Sequence, residues 1–318
     1  MGNDAYVHID KKNHSVKSIE NLLFMLDFEK RNDFYYFGND EEYKYFSGVC
    51  VWKCDENTDE LIYRVRTQIF ASGYDIKKQN DTIRAFKKYC NAWFVGDMGK
   101  NRYFKVEKLV KGAESGCCFA IKKLDNNFSL LLYSLSKYPL DNEGEIQMSS
   151  WGIPTPSVFN ANVYLAYLCS LMEDFFRSTY VALLKYSENK EKIIKNVKLS
   201  PFDLIDISNG NKSLEEALAR TLSFQNIKKI NSNFMDIDKK YDLGRVLKKP
   251  YKNRKESLYE QINRLFECRH AMIHKTEINV DYGTESLKKD ITDIKVAFKR
   301  VYEFICEQNG WIPENIII

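Results

Sequence analysis

Two of the chain's four histidines stand four residues apart beside an arginine, in Phe266-Glu267-Cys268-Arg269-His270-Ala271-Met272-Ile273-His274-Lys275. Residues i and i+4 project from one side of a helix, so His270 and His274 face the same way. Three kinds of chemistry fit the pair. A zinc ion takes histidines at this spacing, but Ala271 stands where a zinc peptidase carries its catalytic glutamate, and Cys268 points elsewhere. The local ligand set is incomplete, and neither a metal nor another cofactor is expected. A second reading is structural, with arginine and histidines satisfied by neighbouring carboxylates. The third is catalysis on a phosphodiester. Arginine forks onto phosphate, and histidine moves protons near neutral pH. RNA brings its own nucleophile, the 2′-OH. A metal-free ribonuclease then needs a base for that proton, an acid for the leaving 5′-oxygen and a cation for the phosphorane charge.

The stretch needs a helix to hold it. Ser257 and Glu260 form a capping-box pattern, which starts that helix. Its apolar stripe is Leu258, Ile262, Leu265 and Met272, and Arg269 falls on the same stripe. An arginine there requires a buried partner, a dimer partner or a ligand. Just before it runs the sharpest basic stretch in the chain, including Lys248, Lys249, Lys252, Arg254 and Lys255. It reads either as an RNA contact or as a solvated loop. Asn162 to Tyr186 reads as one long helix with a broad apolar face, carrying Glu173 and Asp174 near its middle. Pro201 to Ile207, Leu214 to Leu222 (Ser213 as cap, Glu216 completing the box) and Phe224 to Phe234 read as shorter helices. A last helix covers Glu285 to Gln308, with Thr284 as its cap.

Arg269-His270-Ala271-Met272-Ile273-His274 resembles the Arg-polar-xxx-His signature of HEPN domains, in a helical context of about residues 158 to 310. The resemblance implies a helical bundle that dimerises so that two motifs face each other. It implies a metal-independent endoribonuclease of the kind found among toxins and anti-phage abortive-infection proteins, with RNA as substrate and an antitoxin or regulatory protein as a further partner. By the same resemblance Arg269 binds the scissile phosphate, His274 is the general acid/base, and His270 occupies the family's variable polar position and assists. Glu173 would tether the arginine. Some members of the family are inactive, so a non-catalytic RNA- or protein-binding module is the alternative.

The remaining half, residues 1 to 150, reads as a mixed α/β domain with a sensing or regulatory role. Val16 to Phe28 is an amphipathic helix capped by Ser15. Phe34 to Phe37, Tyr43 to Lys53 and Leu61 to Ala71 read as strands, the last two as a hairpin. Thr82 to Phe94 returns to helical spacing with Asp81 as cap, and Arg102 to Val110, Cys117 to Leu124 and Phe128 to Leu135 look strand-like. The lysine-rich stretch from Lys77 to Lys111 is a solvated face or a phosphate-facing one. Residues 141 to 158, with Gly152, Pro154 and Pro156, read as a linker between this domain and the helical domain at 158–318. The fold class expected is therefore α+β.

Composition sets the outer bounds. The net charge of +4 is too mild to argue for nucleic acid by itself. Eight scattered cysteines match no disulfide or metal framework and are expected as free thiols. No apolar run suits a signal peptide or a membrane span, so a cytoplasmic protein with no membrane partner is expected.

Overall fold

The computed structural model describes residues 2–38, 42–54, 59–106, 108–137 and 154–314. The chain divides into two compact units, Met1–Ser115 and Gly116–Ile318.

In the first unit the alternation read from the sequence becomes a sheet. Along β5 (Glu60–Thr67), Leu61, Tyr63 and Val65 are buried, while Ile62, Arg64 and Arg66 lie on the other face. β5 pairs antiparallel with β4 (Val49–Lys53), which is the expected hairpin with shorter strands. Its other neighbour is β1 (Asp4–Asp10), an interior strand of the sheet, with Ala5, Val7 and Ile9 buried. With β2 (Glu29–Arg31), β3 (Phe34–Phe37), β6 (Trp93–Gly96) and β7 (Gly99–Lys100), the order is β2-β3-β4-β5-β1-β6-β7, antiparallel throughout.

Two helices bury the inner face. α1 (Val16–Met25) is capped by Ser15 as expected. α2 (Gly73–Cys90) begins at the Ser72 cap, nine residues before the predicted Asp81. Asp75 explains the earlier start. Its buried carboxylate accepts the backbone N–H groups of Ser72, Phe46, Ser47 and Gly48, which fixes the first turn against the preceding loop. Asp81 lies inside the helix and pairs with Lys77 and Arg84.

The predicted strands at 117–124 and 128–135 are one helix, α3 (Gly112–Ser136). Cys117, Ile121, Leu124, Phe128, Leu131 and Leu135 are all buried, and their spacing of four and three is that of a helix stripe. Arg102 to Val110 contains no strand among its described residues. The helical unit therefore starts near residue 116, not at a junction between 141 and 158. Residues 141–153 of that expected linker lie outside the described residues, and Pro156 already opens the next helix.

That helix, α4 (Pro156–Lys185), is the axis of the second unit, with Thr155 as cap and proline in its first turn. It packs on α7 (Leu214–Thr221), α8 (Ile227–Ile237), α10 (Leu258–Lys275) and α11 (Thr284–Asn309). Phe175 and Phe176 meet Phe298 of α11, and Tyr180 meets Phe224 and Phe234. Three short helices, α5 (Lys190–Lys195), α6 (Pro201–Ser208) and α9 (Gly244–Leu247), are the others among the described residues of the unit. Gly283 caps α11 in place of the expected Thr284. Ion pairs from Lys123 to Asp174 (2.8 Å) and from Lys295 to Asp125 (3.6 Å) join α3 to α4 and α11.

The cysteines are free thiols. Among the described residues no helix is long and apolar enough to cross a membrane. An α+β class holds; the first unit is a sheet with two covering helices, the second is helical.

Candidate functional site

The motif helix is fixed at its start and open at its end. Ser257 and Glu260 form the capping box, and Leu258, Ile262, Leu265 and Phe266 are buried. Two buried carboxylates of α11 clamp this first half. Asp290 accepts from Gln261 (2.7 Å), Arg264 (3.1 Å) and Tyr282 (2.9 Å). Asp293 accepts from Tyr251 (3.0 Å), Lys252 (3.2 Å), Arg254 and Gln261 (3.3 Å). Burial pushes the Asp293 carboxyl up, but the hydrogen bonds from Arg254, Tyr251, Lys252 and Gln261 outweigh it and hold it below the ordinary range.

Past this clamp the helix carries Arg269 half-buried on its inner side and His270 and His274 exposed. The predicted partner for the arginine is present. Arg269 Nη2 lies 3.6 Å from Glu173 Oε1 on α4. Gln225, from the loop before α8, donates to the other oxygen of Glu173 at 3.3 Å. Cys169, one turn before Glu173, donates its thiol to the carbonyl of Leu265 at 3.4 Å, which brings α10 against α4. Burial pushes that thiol well up, so it is a packing group and not a nucleophile. The rings of His270 and His274 sit side by side, centroids 4.5 Å apart.

Arg269 and His270 line a groove of about 380 Å³ with Gln225, Asn226, Asn263, Glu267 and Lys275. Arg269 Nε, in the groove wall, and Glu173 Oε1, which pairs with that arginine, are buried without a hydrogen-bond partner, as is Arg177 Nε elsewhere on α4. Buried polar atoms left unpaired mark a place where a water, ion or ligand is expected. Arg177 was not foreseen. It follows Glu173 by one helical turn and stacks its guanidinium 5.7 Å from the Phe224 ring. The signal available was the i, i+4 spacing on an otherwise apolar helix. Gln225 and Asn226 reach the groove only through the fold; Asn226 also caps α8.

The five predicted RNA-binding cations separate. Lys248 and Lys249 line a second groove, of about 480 Å³, with Arg245 and Tyr259. Lys252 and Arg254 are instead held by Asp293. Lys255 is exposed and belongs to neither groove. The lysine-rich stretch of the first unit is likewise dispersed: Lys77 pairs with Asp81, Lys78 donates to the carbonyl of Leu26, and Lys108 pairs with Glu114.

Among the described residues no group of three or more histidine, cysteine or acidic side chains is arranged to hold a metal ion. Comparison with protein-family models, with curated proteins and with solved structures found no match.

Proposed function

We propose that the protein is a metal-independent endoribonuclease of HEPN type, acting in the cytoplasm as a toxin or anti-phage effector. The observation that carries the reading is an arginine anchored by a carboxylate at the edge of a groove, with two exposed imidazoles on the same helix. A fixed guanidinium is preorganised for a phosphate whose charge grows in the transition state. In this reading His274 is the general acid/base and His270 assists. A base removes the 2′-OH proton, the 2′-oxygen bonds to phosphorus, and the bond from phosphorus to the 5′-oxygen breaks. An acid protonates that oxygen, leaving a 2′,3′-cyclic phosphate and a 5′-hydroxyl. A homodimer would set two motifs face to face.

A non-catalytic RNA- or protein-binding module is the second reading. It is favoured by the histidines themselves: no hydrogen bond among the described residues orients either ring, whereas a catalytic base is commonly oriented by a further group. Cleavage decides between the two. RNA should be cut in the presence of a chelator, and a 2′-deoxy substitution at the scissile position should block it. Arg269→Ala and His274→Ala should each abolish cleavage and any toxicity on expression. Full activity in either variant would refute the ribonuclease reading.

A further inference from the structure

The two grooves of the helical unit share their walls. The groove at the motif lies between the N-terminal cap of α8 (Asn226) and the part of α10 from Asn263 to Lys275. The other lies between the later part of α8 (Asn231, Met235) and the first turn of α10 (Tyr259). Both grooves are therefore lined by the same pair of helices, at different residues. Along α10, Tyr259, Asn263, Phe266 and His270 follow one another at spacings of four, three and four, so they share one helix face. At 1.5 Å per residue, Tyr259 and His270 are about 16 Å apart along the axis.

The far end is built for a charged, flat ligand. Arg245, Lys248 and Lys249 surround it, all exposed. Its one acid, Asp242, accepts from Asn231 at 3.0 Å. Lys248 sits 4.8 Å from the Tyr259 ring centre. Cations beside an aromatic face are the pairing that binds single-stranded nucleic acid, phosphate on one and base on the other. Toward the motif end Gln225 donates to Glu173, Asn226 Oδ1 caps α8 and Asn263 donates to Glu267 (2.6 Å), so it is the other atom of each amide that can meet a base edge.

We propose that the two grooves join into one furrow between α8 and α10, a track for single-stranded RNA. A nucleotide subsite at Arg245, Lys248, Lys249 and Tyr259 holds the strand several nucleotides from the phosphate at Arg269. The direction of the track rests on the ribonuclease reading; the binding site does not.

The test uses the full chain and a fluorescent all-2′-O-methyl RNA of about twelve nucleotides, which lacks the nucleophile and is long enough to fill the furrow. Joint Lys248→Ala and Lys249→Ala substitution should weaken binding more than tenfold and lower the slope of log affinity against log salt by about 1.4, or about 0.7 for each phosphate contact on a single strand. Tyr259→Ala should weaken it about tenfold, and Tyr259→Phe should keep it. With cleavable RNA the same changes should raise KM and spare kcat, and a dinucleotide substrate should not respond. Binding through these residues without cleavage would sink the ribonuclease reading and leave the track standing. Cleavage with unchanged KM and unchanged affinity in the variants would overturn the track, as would no binding of the oligonucleotide. Equal binding of a polyglutamate peptide, insensitive to Tyr259→Ala, would mark a protein-docking surface and also overturn it.

Discussion

Glu173→Gln tests whether the arginine works because it is held. The substitution keeps shape and removes charge. Arg269 and Glu173 are 3.6 Å apart, with side chains only 16% and 10% exposed. At an effective dielectric of about 20 their attraction is roughly 4–5 kcal/mol. Desolvation cancels most of that, leaving a net coupling of about 1–2 kcal/mol. The measurement is a double-mutant cycle of Glu173→Gln and Arg269→Met, by urea unfolding. The transition to follow is the one that Leu265→Ala, in the core of the helical unit, also shifts. Each single change should cost about 2 kcal/mol, and the double less than their sum. In cleavage assays Glu173→Gln should lower kcat about tenfold with a smaller change in KM, because a guanidinium that is present but misplaced still binds the strand. Additivity within about 0.3 kcal/mol, with kcat unchanged, would refute the tether.

Two further predictions concern the helix that carries the motif. Asp293→Asn should destabilise the helical unit by about 1–2 kcal/mol, because it weakens the charge-assisted hydrogen bonds that Arg254 and Lys252 give the buried carboxylate while leaving both cations in reach of water. The folded Asp293 carboxyl lies below its ordinary value of 3.8, so its contribution is complete above that value and lost as pH falls through the lower, folded one. The wild type should therefore lose stability below about pH 4 more steeply than Asp293→Asn in acid-denaturation curves; parallel curves would count against the carboxylate's role. Thr276 ends α10 in the left-handed region at φ 58°, a costly conformation for a β-branched residue. Thr276→Gly should raise stability by up to about 1 kcal/mol and Thr276→Val should lower it, read as opposite shifts of the thermal midpoint; a destabilised glycine variant would contradict this.

What could be read from the chain was whatever a single element decides. Ser257 with Glu260, Ser213 with Glu216 and Ser15 start their helices by local hydrogen bonds, and the structure has all three caps. Arg269 announced its need for a partner by standing on an apolar stripe, and Glu173 is beside it. Local reading failed where two periodicities competed. The run from Cys117 to Leu135 alternates enough to suggest strands, yet its buried residues follow the four-three spacing of a helix, and that misplaced the domain junction. β1, between β5 and β6, is a strand that the sequence reading lacks, although Ala5, Val7 and Ile9 alternate clearly.

The basic run shows the harder limit. In the sequence Lys248, Lys249, Lys252 and Arg254 are equivalent charges within seven residues. The fold separates them through Asp293, some forty residues downstream, which takes Lys252 and Arg254 and leaves Lys248 and Lys249 beside Tyr259. A count of cations thus overstates the binding surface, since a buried carboxylate claims its partners first. The same argument predicts which residues should matter for RNA. Charge removal at Lys252 or Arg254 should appear as lost stability, whereas removal at Lys248 or Lys249 should appear as lost affinity with the fold intact.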